Sequence, residues 1–515
     1  MVPVTIAIAV ANAAIYHRPL YSFAAANLGL PSTGSILTIA TICFLLIMTT
    51  VLALALLALI SPRLLKPFCM ISALCSAIAL YFIETYGVVL DKTMISNVFN
   101  TNLAEVRGLL HPKILGYLLA FGLGPCWLLS RFTITDTPFL RRAVFFVLCV
   151  LIFVGLMYAA STTWLWIDKH SRKLGGLTLP WSYVVGAMRV ASDDWPASRE
   201  QQLLPPARFL RHDKTVVVLV IGESARQKNF SLYGYQRNTN SFTTAAGVVA
   251  LAHARACATY TTASLRCIVS SGDTGWKRSV LSEPLPSYLH RHGVDVIWRT
   301  NNWGEPRIKV ATYQRAEDIP GACQGDSCRY DEVLLHRLDE RIRASPHEKI
   351  FVVLHLHGSH GPSYASEYPH SFEFFSPVCQ SVVLTECTNG SLVNAYDNSI
   401  RYTDAVLAQL IDTLKTFAPI PTTLIYISDH GESLGEYGLY LHGTPYSIAP
   451  DAQLDIPFLV WMSPEFKQQH EISTDRLAQQ KEHSQTNVFH SVMGAFGMRS
   501  DIYDAKRDVF SDHSP

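Results

Sequence analysis

Ile36–Ile60 and Ala143–Ile167 are each runs of 25 residues without a charge. A run of that length and apolarity spans a bilayer core as a helix, because every backbone N–H and C=O must find its partner inside the segment. Phe68–Ile83 and Ile114–Leu129 are shorter apolar runs that span if flanking residues contribute, and Val2–Tyr16 makes a fifth candidate. Val2–Tyr16 lacks a basic stretch ahead of it, so it reads as a span rather than a cleaved signal. The expectation is therefore a membrane domain of five helices over residues 1–167. Arg63 and Lys66 fall between the second and third spans, and Arg131, Arg141 and Arg142 between the fourth and fifth. The positive-inside rule puts those loops in the cytoplasm, which leaves everything after Ile167 outside. Lys92, Arg107 and Lys113 blur the pattern in the 87–113 loop.

Composition agrees with this division. Hydrophobic residues make up 49% of the chain and charged residues only 16%, with the apolar excess in the first third. A net charge of +1 gives no sign of nucleic-acid binding. Cys43, Cys69, Cys75, Cys126 and Cys149 sit in apolar runs and read as small buried hydrophobes. The other six cysteines come in near pairs: Cys257 with Cys267, Cys323 with Cys328, and Cys379 with Cys387. In a segment outside the cytoplasm, such pairs read as three local disulfides, and none has the repeat spacing of a zinc knot.

Residues 168–211 mix Lys169, Arg172 and Lys173 with Trp181, Tyr183 and Trp195, a combination suited to the membrane interface. They read as a bridge to a soluble domain over 212–515. From Lys214 onward, β-branched runs alternate with helix-like stretches: Val216–Ile221, Val294–Trp298, Ile350–Leu354, Leu424–Ile427 and Phe458–Trp461 are the strands. Asp331–Ala344 and Leu392–Phe417 are the clearest helices. The alternation predicts an α/β sandwich around a largely parallel sheet. The His- and charge-rich segment 468–515 reads as solvated.

In open α/β sheets, ligands bind where loops leave the carboxyl ends of strands. Glu223 follows the first strand run, and Asp429-His430 follow the fourth. Together they form a hard oxygen/nitrogen set suited to zinc, with one ligand wanting. The loop CATYTTASLRC, clamped by its own cysteines, holds hydroxyls in place, and a metal-bound threonine hydroxyl ionises near neutral pH as metal-bound water does. His360 and His442 read either as phosphate-oxygen ligands or general acids, or as ordinary loop histidines. Asn97, Thr101 and Glu105, at steps of four, share one helical face. That face is either simply solvated or a headgroup site at the membrane surface.

GESARQKNFSLYGYQRNT, CATYTTASLRC, GSHGPSY and SDHGESLGEYGLYLHGTPY, in that order, resemble the bacterial phosphoethanolamine transferases of lipopolysaccharide, within the alkaline phosphatase/sulfatase-like superfamily. The resemblance covers the whole chain. It implies Thr261 as nucleophile, Glu223, Thr261, Asp429 and His430 as zinc ligands, and His360 and His442 beside the phosphate, with room for a second metal. It also places Asn97, Thr101, Glu105 and Asn302 at the substrate. Where some members carry a lysine, this chain reads Trp303-Gly304-Glu305-Pro306. The implied reaction moves phosphoethanolamine from phosphatidylethanolamine to lipopolysaccharide, on a lipid A phosphate or an inner-core Kdo sugar, through a covalent threonine intermediate. Such an enzyme is a monomer of the bacterial inner membrane with its catalytic domain in the periplasm, and its product resists polymyxin. The rivals are a phosphoglycerol transferase of the lipoteichoic-acid synthase type and a sulfatase-like hydrolase. The second lacks its C/S-x-P-x-R nucleophile motif here.

Overall fold

A computed structural model describes residues 1–28, 33–101, 106, 109, 111–134, 137–159, 164–194, 201–272, 282–323, 328–474, 477 and 482–511. Two compact units emerge: 1–99 with 110–192, and 100–109 with 193–515.

In the first unit, four helices are long and apolar enough to cross a membrane: Gly34–Ile60, Pro62–Tyr86, Lys113–Arg131 and Phe139–Tyr158. The expected fifth falls short. Val2–Tyr16 has 15 residues, which at about 1.5 Å per residue is well under a hydrocarbon core of about 30 Å. It packs instead among the others, with Ala9 against Met48, Val51 and Cys149. Between the first two apolar runs, the chain forms the helix Arg18–Leu28.

The second unit is built on a seven-stranded sheet. Its strands are β1 (Thr215–Gly222), β2 (Val249–Ala250), β3 (Asp295–Thr300), β4 (Thr312–Arg315), β5 (Lys349–His355), β6 (Thr422–Ser428) and β7 (Phe458–Met462), in the order β2-β7-β6-β1-β5-β3-β4. All five strand runs expected from sequence are present. The sheet is mixed rather than largely parallel, because β7 runs antiparallel to both β6 and β2. The central block β6-β1-β5-β3-β4 is parallel throughout. Every residue of β1 is buried, as the unbroken run Val216–Ile221 requires of a strand covered on both faces.

The helix Asn389–Lys415 starts where the Thr388 side chain accepts from the Ser391 amide at 3.2 Å. This bond satisfies one of the helix's first free donors. The expected helix over 331–344 is broken in two, a 3-10 turn Asp331–Leu335 and a helix Leu338–Arg343, by Arg337 at φ 50°. The segment 468–515 is not a solvated tail. Its helix Asn487–Ala495 is buried along its whole length, and Val488, Phe489, Val492, Met493 and Phe510 join the main core. The strand Met498–Arg499 then pairs with Arg208–Phe209.

All three expected disulfides are formed. Cys257 is bonded to Cys267, Cys323 to Cys328, and Cys379 to Cys387, closing loops of 10, 5 and 8 residues' separation. The five cysteines of the membrane unit, Cys43, Cys69, Cys75, Cys126 and Cys149, stay free. Cys69, Cys126 and Cys149 are buried as expected, whereas Cys43 is half-buried and Cys75 exposed.

Candidate active site and metal centre

Parallel register delivers the site. Gly222 of β1 stands opposite Ser428 of β6, and Ile221 opposite His355 of β5. The residues one step beyond, Glu223 and Asp429, therefore leave adjacent strand tips on the same edge. The Asp429 amide still donates to the Gly222 carbonyl at 2.9 Å, extending the ladder into the loop. The turn after Glu223 is held by Tyr396 of the long helix, whose hydroxyl donates to the Ser224 carbonyl at 2.7 Å and accepts from the Arg226 amide at 3.0 Å. Ser224 sits at φ 55°, a left-handed conformation costly for a residue with a Cβ and found mostly where surrounding structure enforces it. There its amide donates to Asp429 Oδ1 at 3.1 Å.

Thr261 opens the helix Thr261–Ile268, inside the loop closed by Cys257 and Cys267. Its hydroxyl lies 3.1 Å from Glu223 Oε2 and 3.5 Å from His430 Nε2. His430 Nδ1 faces the Gly431 carbonyl at 2.9 Å, which fixes the ring proton there. Its Nε2 lone pair is thereby aimed at Glu223 Oε1 at 3.3 Å and Asp429 Oδ2 at 3.2 Å. A bare nitrogen lone pair facing two carboxylates is repulsive unless a cation stands among them. Asp429 Oδ2 is buried and accepts no hydrogen bond. These residues fit a divalent metal.

The electrostatics carry the same signature. Burial pushes the Asp429 carboxyl well above its usual range, and the neighbouring Glu223 charge adds to this. Burial works on Glu223 in the same direction, but His430, His360 and His442 more than offset it and hold that carboxyl below the ordinary range. His430 is pushed down to about 4 by burial and by His442, so its imidazole is neutral at physiological pH, as a metal ligand must be.

Glu223, His430 and His442 can bring one ligand atom each within 4.8 Å of one another. Sequence resemblance assigns His442 to the phosphate; the structure puts it near enough to serve the metal as well. Its Nδ1 donates to Glu432 Oε2 at 2.9 Å, leaving Nε2 to the site. Glu432 is fully buried and takes a second bond, 2.7 Å, from the Tyr364 hydroxyl. The His360 ring lies 5.6 Å from that of His442. Asn302 Nδ2 donates to Glu223 Oε2 at 2.9 Å. Thus Glu223, Thr261, Asp429, His430, His442, His360 and Asn302 converge. Thr261, rather than its neighbour Thr262, is the threonine hydrogen-bonded to Glu223. Asn97 lies on the helix Lys92–Asn100 of the first unit and Thr101 just beyond that helix, while Glu105 is outside the described residues.

Sequence reasoning missed Ser224, Glu432, Tyr364 and Asp331. Asp331 accepts from the amides of His357 and Gly358 at 2.8 Å each and so shapes the His357–His360 loop. Only Glu432 carried a signal, its place two residues after His430 in SDHGES.

Residues 215–498 match the sulfatase family model, and residues 46–195 match that of the phosphoethanolamine transferases EptA/EptB. The chain is 38% identical over 493 residues to phosphoethanolamine transferase EptA of Helicobacter pylori, covering 94% of this chain and 90% of that one. It is 33% identical to EptA of Escherichia coli K12, covering 86% and 85%. The integral membrane lipooligosaccharide phosphoethanolamine transferase A of Neisseria meningitidis superposes with a TM-score of 0.90 at 27% identity, over 98% of this chain and 97% of that one. The chain belongs to the phosphoethanolamine transferase family, with a membrane domain followed by a soluble domain of sulfatase fold.

Proposed function

We propose that this protein transfers phosphoethanolamine from phosphatidylethanolamine to lipopolysaccharide through Thr261. The observation that carries the reading is the Thr261 hydroxyl lying 3.1 Å from Glu223 and 3.5 Å from His430. Glu223, Thr261, Asp429 and His430 would hold zinc, which would lower the pKa of the threonine hydroxyl and neutralise phosphate charge. The Thr261 oxygen attacks phosphorus, its bond to phosphorus forms, and the bond to the diacylglycerol oxygen breaks. His442, held through Nδ1–H by Glu432, takes the Thr261 hydroxyl proton on Nε2 and passes it to that oxygen. In the second half-reaction an acceptor oxygen of lipid A phosphate or Kdo attacks the same phosphorus, and Thr261 leaves. The start of the helix Thr261–Ile268 faces the transferring group, where helix dipole and free amides favour an anion. Positioning and charge neutralisation dominate such phosphoryl transfers.

The protein works as a monomer in the bacterial inner membrane, its catalytic domain in the periplasm, with donor and acceptor both in the outer leaflet. Residues 168–211 link the two parts. Asn97, Thr101 and Glu105 serve the lipid headgroup. Adding a cationic headgroup masks anionic phosphate, which weakens polymyxin binding. Intact-protein mass spectrometry after incubation with phosphatidylethanolamine tests this. A phosphoethanolamine adduct on the wild type, mapped to Thr261 and missing in Thr261→Ala, is expected; an unmodified zinc-replete wild type would refute the donor and nucleophile.

A further inference from the structure

Glu84 is the one acidic residue in the four described spans. A carboxylate inside a membrane helix is costly, by about 2.5–3.5 kcal/mol at the bilayer centre and less near the ends, and is kept where it has a partner or a task. Glu84 lies at the end of Leu65–Tyr86 opposite Arg63 and Lys66, so it belongs to the periplasmic side of that span. Its Oε2 accepts from the Tyr117 hydroxyl at 2.6 Å, from the neighbouring span. Its Oε1 faces Arg18 Nε at 3.9 Å, beyond hydrogen-bond reach.

Arg18 is 81% exposed and Glu84 21%. A basic residue on the periplasmic face runs against the positive-inside bias, and an ion pair this loose and exposed contributes little to stability. Arg18, and the Glu84 Oε1 that faces it, are therefore not explained by folding alone. The Tyr117 ring is itself held among aromatics, 5.6 Å from the Tyr81 ring and 5.6 Å from that of Phe121. Tyrosines at this level suit a lipid–water boundary.

We infer that Arg18 and Glu84, with Tyr117 fixing the carboxylate, form a clamp for a zwitterionic phospholipid headgroup in the outer leaflet. The guanidinium takes the phosphate, and Glu84 Oε1 takes the primary ammonium. Charge-assisted bonds to both ends distinguish phosphatidylethanolamine from phosphatidylglycerol, which has no cation, and from phosphatidylcholine, whose quaternary nitrogen has no N–H to donate. The clamp rests on the donor assigned above and would gather that lipid in the membrane unit, apart from Thr261.

The test is native mass spectrometry of the full chain released from bilayers holding phosphatidylethanolamine, phosphatidylglycerol and phosphatidylcholine together. The wild type should retain phosphatidylethanolamine preferentially. Glu84→Gln should cut that preference about tenfold, the loss of one charge-assisted bond, and Arg18→Gln should weaken retention of all three lipids. The double swap Arg18→Glu/Glu84→Arg separates the clamp from a structural ion pair: continued failure to retain lipid supports it, and restored retention overturns it. Wild-type retention in Glu84→Gln, with an unchanged melting temperature, also overturns it. Retention is read apart from chemistry. A wild type that forms the Thr261 adduct while Glu84→Gln keeps its preference refutes the clamp alone; preferential retention without an adduct refutes the transfer reading alone.

Discussion

Asn302 donates to the same Glu223 oxygen, Oε2, that the Thr261 hydroxyl approaches, at 2.9 and 3.1 Å respectively. One carboxylate oxygen is thus shared between the Thr261 hydroxyl and a fixed amide, which itself also donates to the Leu356 carbonyl at 2.9 Å. Asn302 aims Glu223. Asn302→Ala should lower metal affinity and activity by about 10–100-fold, the usual effect of removing a group that orients a ligand. Titration of the variant against a chelator, beside wild type, reads this directly.

Metal removal should destabilise the soluble domain. Glu223 and Asp429 are fully buried side by side, and a cation that binds only the folded state stabilises it by about 4 kcal/mol at a thousandfold excess over Kd. Chelated protein should melt lower by calorimetry, and zinc should restore the melting temperature more effectively than magnesium, which prefers six oxygens. Equal melting with and without metal would count against the centre.

Gly358 has φ +58°, and a Cβ there would lie 2.8 Å from the Glu223 carbonyl oxygen and 3.0 Å from its nitrogen. Gly358→Ala should cost about 1–3 kcal/mol in backbone strain and displace Glu223. Denaturant unfolding and zinc content should both report the change.

Asp508 offers a pH test away from the centre. Burial raises its carboxyl to about 7, although the Tyr503 hydroxyl and Phe510 amide donate to it at 2.6 and 2.9 Å. Its folded pKa is above its unfolded value, so its contribution is complete below the unfolded pKa of about 4 and is lost as pH rises to 7. Wild type should therefore lose stability over that window relative to Asp508→Asn, by on the order of a few kcal/mol. Parallel pH profiles of the two proteins would contradict this.

Phe489 in the helix Asn487–Ala495 is fully buried and stacks on Tyr288 at 6.1 Å. Phe489→Ala should cost about 3–5 kcal/mol by urea unfolding, as for other buried aromatics. A solvated segment would show almost no change.

Periodicity and charge make the two-part architecture legible, because long uncharged runs and buried parallel strands leave unbroken apolar words in the sequence. Val216–Ile221 and Leu424–Ile427 are of that kind, and Glu223 and Asp429-His430 sit close behind them. The disulfides are legible too, since Cys323 with Cys328 and Cys379 with Cys387 are so near in sequence that local pairing needs no knowledge of the fold. The helix at 487–495 is hidden because His490 and its polar neighbours weigh against burial in a count of residue types. Its histidine is in fact paired, Nε2 with the Ser271 carbonyl at 2.9 Å. The mixed edge of the sheet is not readable, since strand direction depends on connections rather than on the strand's own residues. Tyr364 stays obscure for a similar reason: it reaches His442 only through Glu432, a contact between residues 68 apart in the chain.

The position of β1 also fixes when the enzyme comes into being. It is the first long strand of the sheet to emerge, yet it lies between β5 and β6, which the chain supplies more than a hundred residues later. The short strand before it waits longer still, for Met498–Arg499. Contacts so distant in sequence close late, because loop closure must precede them. Glu223, Thr261 and Asp429 therefore have no joint existence in a partly exported chain. The candidate site is therefore assembled only after nearly all of the domain has been exported.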